Sequence, residues 1–228
     1  MSSTENIQFI NHILRDKEIY NYVIHLKRVN IRDGDDEAIK LLNTLELFAF
    51  GDYLNFLCYH NHYITLDYLL LIKLIRLTIL SAATQEGLTI KIDRLLAGYK
   101  LGAAIEHYIE ITGDNVSKEL MLEKICIDMV DDSIIEIKFD DVEKTILIGK
   151  TNTIRDCFDA NTTVLRVLKE QDISGKNLSN ALKSLQGWYE ENLDPTKKDL
   201  DTQIDNMNKM QSKDINLRKR KPSDNCSI

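Results

Sequence analysis

Ser117-Lys118-Glu119-Leu120-Met121-Leu122-Glu123-Lys124-Ile125-Cys126-Ile127-Asp128-Met129-Val130, then Ile135-Glu136-Ile137-Lys138-Phe139-Asp140 and Thr145-Ile146-Leu147-Ile148, is the stretch on which the fold turns. Met121, Leu122, Ile125 and Met129 recur at three- and four-residue steps, the period of one helix face. Gly113-Asp114-Asn115 breaks the chain before it, and Asn115 or Ser117 stands where a helix cap belongs. The period then falls to two. Ile135, Ile137 and Phe139 alternate with Glu136, Lys138 and Asp140, an acidic turn follows, and Thr145 to Ile148 reads as the return strand. A shorter helical piece from Gly102 to Ile111, a turn or two, precedes this unit. Helix, helix and hairpin in that order describe a winged helix-turn-helix.

Upstream, the chain reads as successive helices. Ile7, Ile10, Ile13 and Leu14 keep helical spacing, as do Ile19, Tyr22, Val23 and Leu26. After Asp33-Gly34-Asp35-Asp36 an acidic first turn opens a helix carrying Ala38, Leu41, Leu42, Leu45 and Phe48, which Gly51 stops. Tyr53 to Tyr63 reads as a short helix plus loop, and Thr65 or Asp67 caps a helix running to about Thr84. That helix is apolar almost all round apart from Lys73 and Arg76, which predicts a buried central element. Thr89 to Leu101 holds a very short extended piece and then helical Leu95, Leu96 and Tyr99.

Downstream, Lys150 to Thr163 reads as a polar loop and Val164 to Leu168 as a short apolar piece. Asn177 to Asn192 is amphipathic, with Leu178, Ala181, Leu182, Leu185, Trp188 and Tyr189 on its apolar side. Pro195 is expected to interrupt it, a second helix restarting with Leu200, Ile204 and Met207 at heptad-like spacing. The chain thus divides into an N-terminal helical part (1–87), a winged-helix subdomain (88–163), C-terminal helices (164–217) and a basic disordered tail (218–228). The expected class is mainly α: a repeat-like helical bundle, the winged helix, then the C-terminal helices.

Composition agrees with helices. Only 2 prolines and 9 glycines occur in 228 residues, too few breakers for a many-stranded sandwich. Cys58, Cys126, Cys157 and Cys226 are widely spaced with no C-x-x-C, so neither a disulfide framework nor a zinc ribbon is indicated. The N-terminus lacks the basic and apolar regions of a signal peptide, and Tyr68 to Ala83 is short for a bilayer span and carries two charges. A soluble intracellular protein is expected.

Three places could carry chemistry. Gly149-Lys150-Thr151 ends like a phosphate-binding loop, but the required first glycine falls on Lys144. Cys58, His60 and His62 would share one side of an extended segment and suit zinc, yet they sit in an interhelical segment where ordinary packing explains them. The pairs Asp131-Asp132 and Asp140-Asp141 flank the first hairpin strand and read as solvated turn residues. No G-x-S-x-G or Cys/His signature supports nucleophilic catalysis. No enzyme activity, cofactor, metal or small-molecule substrate is expected.

Charge decides between nucleic acid and protein as partner. The formal net charge is −7, and taking away the +4 of Arg218, Lys219, Arg220 and Lys221 leaves −11 on the rest. The second helix sets Lys118 and Lys124 against Glu119, Glu123 and Asp128, and the hairpin turn adds Asp140, Asp141 and Glu143. Phosphate contacts need the opposite sign, so the motif is read as protein-binding. Candidate interface residues are Ile135, Ile137 and Phe139 on the hairpin edge strand, then Leu178, Leu182, Leu185 and Trp188, and Leu200, Ile204 and Met207 on the last helix. Folding back on the body is the alternative for both C-terminal helices. Arg218 to Lys221 reads equally as a nuclear localisation signal or a solvated basic tail.

The element order, together with Leu41-Leu42-Asn43-Thr44-Leu45-Glu46-Leu47-Phe48-Ala49-Phe50-Gly51-Asp52-Tyr53, Leu71-Ile72-Lys73-Leu74-Ile75-Arg76-Leu77-Thr78-Ile79-Leu80-Ser81, Arg155-Asp156 and the Leu185/Trp188 helix, resembles the PCI-domain family. Within it the likeness is to subunit seven of the constitutive photomorphogenesis (COP-nine) signalosome and the shorter budding-yeast subunit nine, over roughly Leu41 to Leu193. The resemblance implies a non-catalytic scaffold subunit in the nucleus and cytoplasm. Its partners would be other PCI subunits of a complex that deneddylates cullins in the ubiquitin pathway, through a metalloprotease in another subunit. It also implies winged helices joined side by side and C-terminal helices entering a shared bundle. Departures from the family pattern are the weak N-terminal helical part and the long segment at Lys150 to Thr163. The alternatives are a PCI subunit of a translation initiation factor or the proteasome lid, or a winged-helix nucleic-acid binder.

Overall fold

The computed structural model describes residues 3–29 and 36–218. Contacts divide the chain into two units, Met1–Leu178 and Ser179–Ile228. Among the described residues the protein is mainly helical, with one small sheet.

In the first unit, α1 (Ser3–Arg15), the single turn α2 (Val23–Leu26) and α3 (Asp36–Phe50) come first, then α4 (Tyr53–Cys58) with a 3-10 turn at His60–His62. Acidic Asp36 and Glu37 open α3 and meet the positive end of its dipole. Asp52 and Asn55 form a reciprocal capping box on α4. Asp67 caps α5 (Tyr68–Glu86) by accepting from Leu70 N at 3.0 Å, and Arg15 donates to the same carboxylate.

As its all-round apolar sequence predicts, α5 is the central element, packing on α1, α4, α6, α7 and the sheet. At 19 residues it exceeds the sequence expectation and is long and apolar enough to cross a bilayer by length and composition, yet 67% of its most apolar window is buried inside the protein. Even Lys73 is only 5% exposed. Its ammonium donates to Asp16 O at 2.6 Å and lies 4.0 Å from the Tyr20 ring centroid, and burial pulls its pKa down to about 8. Arg76 leaves the core and pairs with Asp132 at 2.7 Å, tying α5 to the end of α7.

Gly87 ends α5 at φ 85°, a conformation costly for residues with a Cβ, and the chain enters β1 (Thr89–Lys91). A π turn at Arg94–Gly98 leads to α6 (Leu101–Thr112), three turns long rather than the one or two expected. Gly113 stops α6 at φ 73°, and Ser117 caps α7 (Lys118–Asp131) by accepting from Leu120 N. Met121, Leu122, Ile125, Cys126 and Met129 turn inward. β2 (Ile135–Asp140) and β3 (Thr145–Thr151) form the hairpin, and β1 adds to the far side of β3, giving an antiparallel sheet of order β1-β3-β2.

The second unit is helical. Leu178, at the end of the first unit, begins α8 (Leu178–Trp188), which passes through a π turn at Tyr189–Leu193 directly into α9 (Asp194–Arg218). The expected break at Pro195 is therefore absent. Proline lacks a donor and its ring crowds the preceding turn; the wider π turn lies just where that turn would be. Thr196 Oγ1 donates to Asn192 O at 2.8 Å and Asn192 Nδ2 to Trp188 O at 2.9 Å, which satisfies carbonyls there.

Candidate protein-interaction surface

The outward face of α7 is the first component. Seven and ten residues apart, Leu120, Ile127 and Val130 lie along one side and are exposed, Leu120 by 53%. Glu119, Glu123, Asp128 and Asp131 share the helix. Lys118 is engaged with Glu106 of α6 at 2.5 Å. Lys124 is exposed on the same face, between Leu120 and Ile127, so the surface is apolar with carboxylates in excess.

The hairpin edge is the second. Ile135 is buried, and Ile137 and Phe139 are half-buried and packed on the core, so these side chains serve the fold rather than a partner. What β2 leaves open is its backbone edge, since the sheet order puts β3 on one side and, among the described residues, no strand on the other. Leu147 is 40% exposed on the sheet, and Val142 at the hairpin tip is almost fully exposed. Opposite Glu136 and Ile137 the register slips, leaving Gly149 without a partner. Gly149-Lys150-Thr151 therefore lies inside a strand at a bulge, not in a loop opening a helix as a phosphate site requires.

The segment after the hairpin, polar and loop-like in sequence, holds buried and half-buried charged residues that fasten the fold. Arg155 is buried, and its guanidinium donates to Phe48 O (2.5 Å), Ala49 O (3.2 Å), Gly51 O (2.7 Å), Leu77 O (3.3 Å) and Ser81 Oγ (2.5 Å). It thereby caps the C-terminal carbonyls of α3 and clamps them to α5. Lys176 donates to Phe50 O (2.8 Å) and Gly51 O (3.2 Å) at the same helix end. Burial lowers both pKa values, that of Arg155 to about 10; for Lys176 the neighbouring Arg155 lowers it further. Asp156 accepts from Tyr22 N and Val23 N, and burial raises its pKa. Phe158 meets Phe50 edge-on at 5.6 Å.

Glu46, 2% exposed on α3, does the same work in reverse. Its carboxylate accepts from Arg166 N (2.6 Å), Val167 N (3.0 Å) and Leu168 N (3.0 Å), holding the apolar piece onto the helix. The signal available in sequence is a Glu between Leu45 and Leu47 in the apolar C-terminal turns of the helix.

On the C-terminal helical run, Leu178, Leu182, Leu185, Trp188, Leu200, Ile204 and Met207 are all exposed, Leu182 to Met207 by half or more. Arg218 is the last described residue; Lys219, Arg220 and Lys221 lie outside the described residues. Cys58 and Cys157 are exposed free thiols, and Cys126 is buried with a pKa pushed up to about 12 by desolvation. Among the described residues, Cys58, His60 and His62 form no metal-binding group.

Taken together, the exposed features are apolar faces, acidic rims and an open strand edge, all suited to non-covalent contact. No protein-family model matches the sequence, and no curated protein matches it.

Proposed function

We propose that this chain is a non-catalytic scaffold subunit of a signalosome-type PCI complex, supporting the assembly that deneddylates cullins. The observation that carries the reading is the unit from β1 to β3: strand, helix, helix and hairpin, with sheet order β1-β3-β2 and a second helix that turns leucine, isoleucine and carboxylates outward. We read this unit as a winged helix. A winged helix working on DNA lays its second helix in the major groove and needs Lys or Arg against the phosphates. Acidic and apolar side chains in that place support a protein partner. The open edge of β2 supports side-by-side joining with another PCI subunit, through backbone bonds rather than through Ile135, Ile137 and Phe139. The exposed apolar residues of α8 and α9 support entry into a helical bundle of the same complex in the cytoplasm and nucleus.

Affinity purification from the native cell, read by mass spectrometry, tests this. Recovery of other PCI subunits with a metalloprotease subunit is expected. Recovery of translation initiation factors or proteasome-lid subunits instead moves the chain to those branches. Micromolar binding to duplex DNA at moderate salt, with Arg218 to Lys221 removed, overturns the protein-partner reading.

A further inference from the structure

We propose that the groove between the N-terminal end of α7 and the hairpin binds a basic peptide segment anchored by an apolar side chain. This goes beyond the scaffold reading and does not depend on it.

The groove encloses about 440 Å³, room for a few side chains. Leu120, Leu122 and Phe139 supply apolar wall and floor. Around them stand Asp93, Glu119, Glu123 and Asp141, with Lys144 as the one basic lining residue among those described. None of these four carboxylates is in a salt bridge with another described residue. The positive end of the α7 dipole, which would otherwise favour an anion, is already met by Glu119; its pKa is lowered by hydrogen bonds from its own backbone N–H and from Ser117.

Carboxylates around a low-dielectric concavity focus a negative field that a cation offsets. An anion or a nucleic acid is repelled, and a purely apolar ligand leaves the repulsion in place. A ligand with Lys or Arg on both sides of a leucine-like anchor meets floor and rim together. Both walls are set before binding. Ser117 caps α7, and Asp140 accepts from Val142 N and Glu143 N, each at 3.0 Å, to fix the hairpin turn, so little ordering is left for the complex.

Fluorescence anisotropy on the full chain decides it. The probes are short labelled peptides: two leucines flanked on each side by a Lys-Arg pair, the same peptide with glutamates for the basic residues, and the basic peptide with serines for the leucines. The basic leucine peptide is expected to bind, the acidic one not to bind, and the serine peptide to bind about fivefold more weakly. Glu119→Lys with Glu123→Lys, and separately Asp141→Lys in the exposed hairpin turn, should weaken binding, the double variant by about tenfold. Asp201→Lys with Asp205→Lys on α9 makes the same charge change elsewhere and should alter affinity by less than about twofold. An equal loss in that control, equal binding of the serine peptide, or no binding of the basic leucine peptide overturns the proposal.

Discussion

Residues 155–176 hold no regular element longer than a seven-residue 3-10 run, yet Arg155, Phe158, Leu168 and Ile173 are buried. Residues 182–210 are helical throughout, yet Leu182, Leu185, Leu200, Ile204 and Met207 are exposed. The two regions separate regularity from burial. A helix forms from local hydrogen bonds and propensity and leaves its apolar stripe for whatever neighbour is offered. An irregular segment has no internal ladder for its backbone, so it is held only where long-range donors and acceptors meet it. Here those are Arg155, Lys176 and Asp156 from the segment side and Glu46 from α3.

The sharpest way to break the contrast is to remove Arg155. Arg155→Ala leaves the carbonyls of Phe48 and Ala49 without their buried donor, leaves Gly51 O to Lys176 alone, and opens space between α3 and α5. A loss of about 3–5 kcal/mol is expected, enough to unfold a marginal domain. Denaturant unfolding followed by circular dichroism reads it. Arg155→Lys keeps the charge but not the fork of donors, and should recover only part of the loss.

Next in size is Glu46→Gln. The side chain keeps its volume, but one oxygen becomes a donor facing backbone N–H groups. The cost expected is about 1–3 kcal/mol, with faster amide exchange at Arg166 to Leu168 before the rest of the unit opens. Uniform exchange across the unit would show that Glu46 does not hold this segment in particular.

Much of the helical layer was legible because its signals are local. Asp67, Ser117, the acidic start of α3 and the alternation in β2 each act within a few residues. Arg155 looks locally like part of a polar loop, because its partners lie 74 to 107 positions away. Nothing near it in sequence says that a helix end waits for it. Pro195 misled for the converse reason: its local rule is sound, but the rule assumes a strict α register before the proline, and the π turn departs from that register. The interface residues divide the same way. Alternation placed Ile135, Ile137 and Phe139 on one face correctly, but only tertiary packing says that this face is the core.

Lys73 offers a smaller, pH-controlled effect within the central helix. Its pKa is about 8 in the fold, against 10.5 for an ordinary lysine. Between those values the unfolded chain binds more protons than the native one, so this group makes stability rise with pH across that window and contributes no slope below it. At most one proton is involved, about 1.4 kcal/mol per pH unit. Lys73→Met should flatten the rise measured by denaturant unfolding at pH 7.5, 8.5 and 9.5. An unchanged slope would assign it to Lys176, whose pKa is also lowered.

The smallest effect on stability should come from the exposed helix. Leu200→Ser and Ile204→Ser each remove an apolar side chain that is already half in water, so little transfer free energy is lost. Serine is a slightly poorer helix former than leucine, which accounts for a few tenths of a kcal/mol. The midpoint of unfolding should therefore move by no more than about 0.5 kcal/mol, an order of magnitude below Arg155→Ala. Under the proposed scaffold role the same pair should sharply reduce co-purification with partner subunits, because the stripe matters only when another chain covers it. Stability and incorporation would then respond in opposite order at the two regions. If the serine variants destabilise the isolated chain by several kcal/mol, the stripe is already in use within it, and the partner role given to α9 falls.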